Sequence, residues 1–86
     1  MPVYEILLSK ASRKQLGSLP GFIHNKIIED ISNLSITPRP PGCKKLKGYK
    51  NAWRLRSGEY RVIYEIEDKV LRILVVAVGH RRDIYK

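Results

Sequence analysis

Arginines alternate with apolar residues through the second half of the chain, a pattern typical of a surface that binds phosphate. The segments are Trp53-Arg54-Leu55-Arg56, Tyr60-Arg61-Val62-Ile63-Tyr64 and Gly79-His80-Arg81-Arg82-Asp83-Ile84-Tyr85. On a β-strand every second side chain points to the same face, so several guanidinium groups are predicted to gather on one surface. Guanidinium groups bind phosphate oxygens in a bidentate geometry, and the pattern therefore predicts a site for a phosphodiester.

Cleavage of RNA at such a site requires no metal, because the 2′-hydroxyl of RNA is itself the nucleophile. An enzyme has to remove that proton, protonate the 5′-oxygen and stabilise the negative charge on phosphorus, and one donor of the last kind is worth about 3–4 kcal/mol. Arg54, Arg61 and Arg81 are the residues predicted to stabilise this charge. Any one of them could instead be a surface residue or an ion-pair partner of an acid, and the candidate acids are Glu5, Glu29 and Asp83. The set of arginines as a whole favours phosphate.

The acid–base residues are harder to assign from the sequence. Histidine is the side chain that ordinarily changes charge near neutral pH, and His80 is the only one in the C-terminal half. His80 is therefore the predicted proton acceptor, with an ordinary loop histidine as the alternative. Tyr85 is predicted to stack on a base or to donate its phenolic proton, and alternatively to fix the end of the chain. His24, on the predicted second helix, is expected to be exposed.

A further set of basic residues is expected to contact phosphates without sequence preference. These residues are Lys44, Lys45, Lys47, Lys50, Arg56 and Arg82. The sequence contains no Walker-type phosphate loop, no G-x-G-x-x-G motif and no H-E-x-x-H motif, and no spacing of ligands typical of a metal site. No cofactor and no metal are therefore expected.

Charge and length restrict the class of protein. The net charge is +9, and twelve of the 17 basic residues lie from Lys44 onward, which predicts a polyanion or an acidic protein as partner. With 86 residues, one domain spanning residues 1–86 is expected. The single cysteine, Cys43, favours the reducing cytoplasm. The N-terminus lacks the features of a signal peptide, and the longest apolar run, Ile73 to Val78, is too short to span a membrane.

The element order predicted from periodicity is β-α-α-β-β-β. Val3 to Leu8 is expected to be a strand, followed by a helix that begins near Ser9 or Ser12 and ends at Gly17. The second helix is marked by an apolar stripe, formed by Ile23, Ile27, Ile31 and Leu34. Strands are predicted from Ala52 to Arg56, Glu59 to Glu67 and Val70 to Val78, the last in the interior of the sheet. The fold class is α+β, with two N-terminal helices packed on an antiparallel sheet.

The chain resembles the RelE/ParE superfamily of bacterial toxin–antitoxin toxins, and more closely its RelE branch. The resemblance rests on the segments Leu46-Lys47-Gly48, Trp53 to Tyr64 and Val78 to Tyr85, together with size, charge and element order. It implies a RelE-like fold of the kind shared with microbial ribonucleases. It also implies a ribosome-dependent mRNA endonuclease that cuts messenger RNA in the ribosomal decoding site and inhibits translation.

The resemblance also implies roles for particular residues. Arg54, Arg61 and Arg81 fall on the basic positions with which family members hold the scissile phosphate, and Tyr85 matches an aromatic that stacks on the mRNA. Many members have a lysine at the position of Ala52, and some have a lysine at the position of His80. His80 is then the remaining candidate for the general base. The expected partners are the ribosome, its mRNA and an acidic antitoxin that covers the basic surface.

Two other functions stay open at this point. A ParE-like inhibitor of DNA gyrase would use the same fold to bind a protein and would need no phosphate chemistry. A noncatalytic RNA-binding domain would bind RNA in a strongly salt-dependent manner and leave it intact.

Overall fold

The structure, a computed structural model, describes residues 3–84, in which two helices pack on one face of a five-stranded sheet. The elements are β1 (Glu5–Leu8), α1 (Lys10–Gly17), α2 (Gly21–Asn33), β2 (Lys44–Lys45), β3 (Ala52–Ser57), β4 (Tyr60–Glu67) and β5 (Arg72–His80), with a 3-10 turn at Asp68–Val70. The strand order is β1-β5-β4-β3-β2. The predicted α+β class and the order of the longer elements are confirmed.

The pairing of the first strand differs from the sequence-based expectation. Strands β3, β4 and β5 are antiparallel neighbours, whereas β1 lies parallel to β5, with Ile6 opposite Ile73. The sheet is therefore mixed rather than purely antiparallel. The chain leaves β1 through the helix pair and crosses to the far edge of the sheet before β2 and β3. A helical crossover of this kind allows parallel strands within one sheet. The short strand β2 was not predicted.

Helix α1 begins where its capping residue predicts. The Ser9 hydroxyl accepts a hydrogen bond from the backbone N–H of Ser12 at 3.0 Å, which satisfies one of the free donors of the first turn. The Ser12 side chain is fully buried, and its hydroxyl donates to the carbonyl oxygens of Ser9 and Val75 at 3.0 and 2.9 Å. Ser12 thereby connects the helix to the central part of the sheet.

Helix α2 buries the apolar stripe that its spacing predicts. Ile27, Ile31 and Leu34 are at most 3% exposed and pack in one cluster with the sheet residues Val62 and Tyr64. His24 is not exposed as expected. It is half-buried, and its Nδ1 lies 2.9 Å from the carbonyl oxygen of Leu16, because the two helices pack closely at this point.

The proline-rich connector between α2 and β2 is fixed by polar contacts at one end of the sheet. Arg39 lies over the Trp53 ring at 5.0 Å and forms an ion pair of 2.8 Å with Asp68. The Tyr4 hydroxyl donates to the same carboxylate at 2.6 Å, and the Tyr64 hydroxyl donates to the carbonyl of Pro38 at 2.8 Å. These contacts attach an otherwise irregular segment to the core.

We expect the Asp68 contacts to make stability depend on acidic pH. Hydrogen bonds from Arg39 and Tyr4 lower the pKa of Asp68, so its carboxylate stabilises the fold above its unfolded pKa of about 3.9. This contribution is lost as the pH falls through the lower folded pKa. Urea unfolding should give Asp68→Asn a lower free energy of unfolding than wild type at neutral pH. The difference between the two free energies should become smaller below about pH 4. If the difference in free energy of unfolding did not change with pH, the Asp68 carboxylate would not be the stabilising group.

Neither helix within residues 3–84 is long and apolar enough to cross a membrane.

Candidate phosphate-binding site on the open face of the sheet

The register of the strands assigns the arginines to a face. Leu55 pairs with Val62, and both are buried beneath the helices. The alternating positions therefore lie on the opposite, helix-free side, which we call the open face. It carries Arg54 opposite Ile63 and Arg56 opposite Arg61, and it extends to Ala77 and Gly79 on β5. The register therefore places these three arginines on one face of the sheet.

The exposure of the arginines differs along this face. Arg54 is half-buried and Arg56 is exposed, and Lys44 of β2 is the register partner of Arg54. Lys44 therefore adds a fourth positive charge to the open face, at the outer edge of the sheet. Because direct cross-strand neighbours have Cβ atoms about 4.5–5.5 Å apart, these charges form a compact basic strip.

Arg61 is the buried member of the set, with only 7% of its surface exposed. Its Nη1 donates to the carbonyl oxygens of Gly58 and Tyr60 at 3.1 and 3.0 Å. The side chain thus stabilises the β3–β4 turn, in which Gly58 has a φ of +60°. Arg61 therefore has a structural function in addition to the charge that it places beneath the open face.

The turn at residues 81–84, which follows β5, folds back onto the open face. Ile84 packs against Gly79, and a Cβ atom placed at residue 79 would lie 3.3 Å from the Cδ1 of Ile84. A glycine at this position therefore permits a close approach of the C-terminal turn. Tyr85, the predicted stacking residue, lies outside the described residues.

Arg81 is held at the tip of the β3–β4 hairpin. Its backbone N–H donates to the Glu59 carbonyl oxygen at 2.8 Å, and its Nε forms an ion pair with the Glu59 carboxylate at 2.7 Å. Both side chains are about 60% exposed, so the pair is accessible to a ligand. The acid that pairs with Arg81 in this way is Glu59, which was not among the partners proposed from the sequence.

His80 is separated from the arginines by the alternation of β5. It pairs with Tyr60, and the two rings meet edge to face with centroids 5.4 Å apart, on the side of the sheet that faces the helices. Its Nδ1 lies 3.1 Å from the backbone nitrogen of Arg82, which donates to it. This accepting nitrogen is therefore already occupied by a donor. The structure does not bring His80 onto the open face with Arg54 and Arg61.

The remaining predicted phosphate contacts lie at the periphery. Lys44 and Lys45 form β2, and Lys47 and Lys50 are exposed in the loop before β3. Arg82 is exposed in the turn after β5. Apart from Lys44, these side chains extend the positive surface but do not converge with the arginines at one point.

A shallow groove crosses the open face beside the basic strip. It has a volume of about 360 Å³ and is lined mostly by apolar side chains, among them Ile63, Ala77 and Ile84, with Tyr49 and Glu65 at its margins. Within the part of the chain that the structure describes, no group of three potential ligands from His, Cys, Asp and Glu is close enough together to hold a metal ion.

The sequence reasoning missed Glu59. The sequence predicts a turn at Ser57-Gly58-Glu59, but it does not show which residue contacts the Glu59 carboxylate. That residue, Arg81, follows a different strand. A pairing of Glu59 with the residue after β5 becomes visible only once the register of β4 with β5 is known.

Comparison with known proteins identifies the family. The sequence profile described as "ParE toxin of type II toxin-antitoxin system, parDE" matches residues 6–85. The chain belongs to the RelE/ParE superfamily of toxins of type II toxin–antitoxin systems. Among similar sequences, Toxin RelE3 of Methanocaldococcus jannaschii is 35% identical over 94% of this chain and 94% of its own. Toxin RelG of Mycobacterium tuberculosis is 30% identical over 96% and 97%. This toxin is therefore RelE-like.

Solved structures agree with this assignment. The toxin resembles a chain of the archaeal RelE–RelB complex from Pyrococcus horikoshii with a TM-score of 0.83 and 29% identity, covering 94% of this chain and 98% of that chain. It resembles a chain of the toxin–antitoxin complex RelBE2 from Mycobacterium tuberculosis with a TM-score of 0.81 and 27% identity, covering 92% and 99%. The RelE-like fold predicted from the sequence is confirmed.

Proposed function

We propose that this toxin is a metal-independent mRNA endonuclease that cuts messenger RNA in the ribosomal decoding site and so inhibits translation. The observation that carries the proposal is the grouping of Arg54, Arg56 and Arg61 on the open face, with Arg81 at the adjacent hairpin tip. Four guanidinium groups beside a shallow groove provide both the attraction for an RNA backbone and the donors that stabilise charge on phosphorus. The similarity to RelE-named toxins supports this reaction over simple binding.

In this proposal the arginines have different roles. Arg54 and Arg81, which are both more exposed than Arg61, contact the non-bridging oxygens of the scissile phosphate. The positive charge of Arg61 lies beneath the open face, and its hydrogen bonds hold the β3–β4 turn. Arg56, Arg82 and the lysines at positions 44, 45, 47 and 50 bind flanking phosphates. Tyr85 stacks on a base of the mRNA or protonates the leaving 5′-oxygen. The sequence assigned proton removal to His80.

We propose that the partner that controls the toxin is an acidic antitoxin, and that the toxin acts in the cytoplasm, where ribosomes are. The solved relatives include RelE chains in complexes with RelB antitoxins. A net charge of +9 makes an acidic protein a complementary partner for the basic strip.

Primer extension on a defined mRNA in a purified translation system tests the proposed reaction. Wild-type toxin should produce discrete cuts when ribosomes are present and none when they are absent. The same preparation of an Arg54→Ala/Arg81→Ala variant shows whether a contaminating nuclease is responsible. Intact mRNA with continued translation would overturn the proposal. RNA that is bound but intact, with an affinity that falls steeply with salt, would indicate a noncatalytic RNA-binding domain.

A second candidate function is inhibition of DNA gyrase, and the family profile, which carries the ParE description, favours it. A supercoiling assay with purified gyrase distinguishes the two functions. Loss of supercoiling at toxin concentrations that leave translation unaffected would assign the toxin to this second class.

A further inference from the structure

We propose that Glu59 is the general base that removes the proton from the 2′-hydroxyl of the mRNA, an inference that rests on the proposed endonuclease function. Glu59 lies at the tip of the β3–β4 hairpin, directly beside Arg81. Neither composition nor the family resemblance pointed to it. The fold brings it there by aligning β4 with the end of β5.

The geometry of Glu59 suits a group that exchanges a proton next to a bound phosphate. One carboxylate oxygen, Oε2, accepts from the Nε of Arg81 at 2.7 Å, which fixes the orientation of the side chain. Within residues 3–84, the other oxygen, Oε1, makes no hydrogen bond, so it is available to a substrate hydroxyl. The side chain is 64% exposed, so the RNA can reach it. A base has to lie within hydrogen-bond reach of its proton, and a phosphate on Arg81 would place the adjacent ribose there.

The contacts of His80 argue against it as the base. A neutral imidazole has one nitrogen that accepts and one that carries a proton. The accepting nitrogen, Nδ1, is engaged by the backbone N–H of Arg82, so Nε2 carries the proton and can only donate. The ring also contacts Tyr60 on the helix side of the sheet, opposite to the arginines. His80 is better suited to holding the turn that positions Arg81.

The chemical step balances without any further reactant. The 2′-hydroxyl proton moves to Oε1 of Glu59 as the bond from the 2′-oxygen to phosphorus forms. The bond from phosphorus to the 5′-oxygen breaks, and the leaving oxygen takes up a proton from solvent water. The products are a 2′,3′-cyclic phosphate and a 5′-hydroxyl, and the proton on Glu59 returns to solvent.

Single-turnover cleavage of ribosome-bound mRNA tests this assignment with three variants. Glu59→Gln keeps an acceptor for Arg81 but cannot take a proton, and its rate should fall by about 10²-fold or more. Glu59→Ala should be equally slow, and added formate should restore part of its activity, because the exposed site admits a small carboxylate. Glu29→Gln, which removes a negative charge from an exposed position on α2, away from the open face, should cleave at the wild-type rate. Thermal unfolding verifies that all three variants fold.

The possible results separate this inference from the proposed function. If wild-type toxin does not cut mRNA, or cuts an mRNA with a 2′-deoxyribose at the scissile nucleotide equally fast, both are overturned. If wild type cuts and Glu59→Gln cuts equally fast or faster, the endonuclease stands and Glu59 only neutralises Arg81. If Glu59→Ala is slow and formate restores nothing, Glu59 positions Arg81 and is not the base.

Discussion

Replacing Arg54 and Arg81 together by alanine is expected to lower the rate of mRNA cleavage by at least about 10³-fold. Removal of one donor that stabilises charge in a transition state typically costs about 10²–10³-fold in rate, and two donors to the same phosphate reinforce each other. Both side chains lie at the surface, with Arg54 half-buried on β3 and Arg81 about 60% exposed beyond β5. Their loss therefore should remove charge from the site with little effect on the core.

Single-turnover cleavage with saturating ribosomes measures this effect separately from binding. The matched control is Arg13→Ala/Lys14→Ala, which removes two positive charges from exposed positions on α1, away from the open face. It should cleave within a few-fold of wild type. If the cleavage rate fell equally in the two double variants, net charge rather than the placement of these arginines would determine the activity.

Arg61 is less suitable for this experiment, although the sequence places it in the same set. Its Nη1 donates two hydrogen bonds that hold the turn at Gly58, and each such bond contributes about 0.5–1.5 kcal/mol. An alanine at this position would combine the loss of a charge with a disturbed hairpin tip. Since Glu59 belongs to that tip, the two effects could not be separated.

Replacing Tyr64 by alanine is expected to lower the free energy of unfolding by about 3–5 kcal/mol. Tyr64 is fully buried in the sheet and belongs to the cluster that joins β4 to helix α2. Truncation leaves a cavity and removes the hydrogen bond from its hydroxyl to the Pro38 carbonyl at 2.8 Å. A domain of this size has a total stability of roughly 4–13 kcal/mol, so this loss should remove a large share of the free energy of unfolding.

Urea unfolding of Tyr64→Ala beside Tyr64→Phe separates the ring from the hydroxyl. Phenylalanine keeps the packing, so it should cost only about 1–2 kcal/mol for the lost hydrogen bond. Burial raises the pKa of the Tyr64 hydroxyl well above its ordinary range, with a further contribution from Cys43, so this group remains a donor at physiological pH. If Tyr64→Phe lowered the free energy of unfolding as much as Tyr64→Ala does, the hydroxyl rather than the ring would be the stabilising group.

Local patterns predicted most of the elements correctly. Ser9 and Gly17 bound α1, and the stripe that includes Ile27 and Ile31 faces the sheet from α2. These predictions succeed because caps and periodicity act within a few residues of the chain. The parallel pairing of β1 with β5 was not predicted, because it joins distant segments and depends on the path of the helices between them.

The candidate site was predicted in part. Strand alternation predicted that Arg54 and Arg56 share one face, and the register places Arg61 opposite Arg56 on that face. The role of His80 as the base stays a prediction that its contact with Arg82 does not favour. Glu59 appeared only as part of a turn, because nothing in its local sequence shows which side chain lies across from it.

The amino-acid sequence by itself determined the chemistry that this toxin presents. It specified a strongly basic second half, the arginines that share a face, and the family motifs, because composition and strand alternation are properties of the chain alone. The tertiary structure decided which groups meet. The Arg81–Glu59 pair and the burial of Arg61 arise from the register of β5 on β4 and the turn from β3. Contacts between distant residues exist only after that register has formed, and the site therefore depends on the fold.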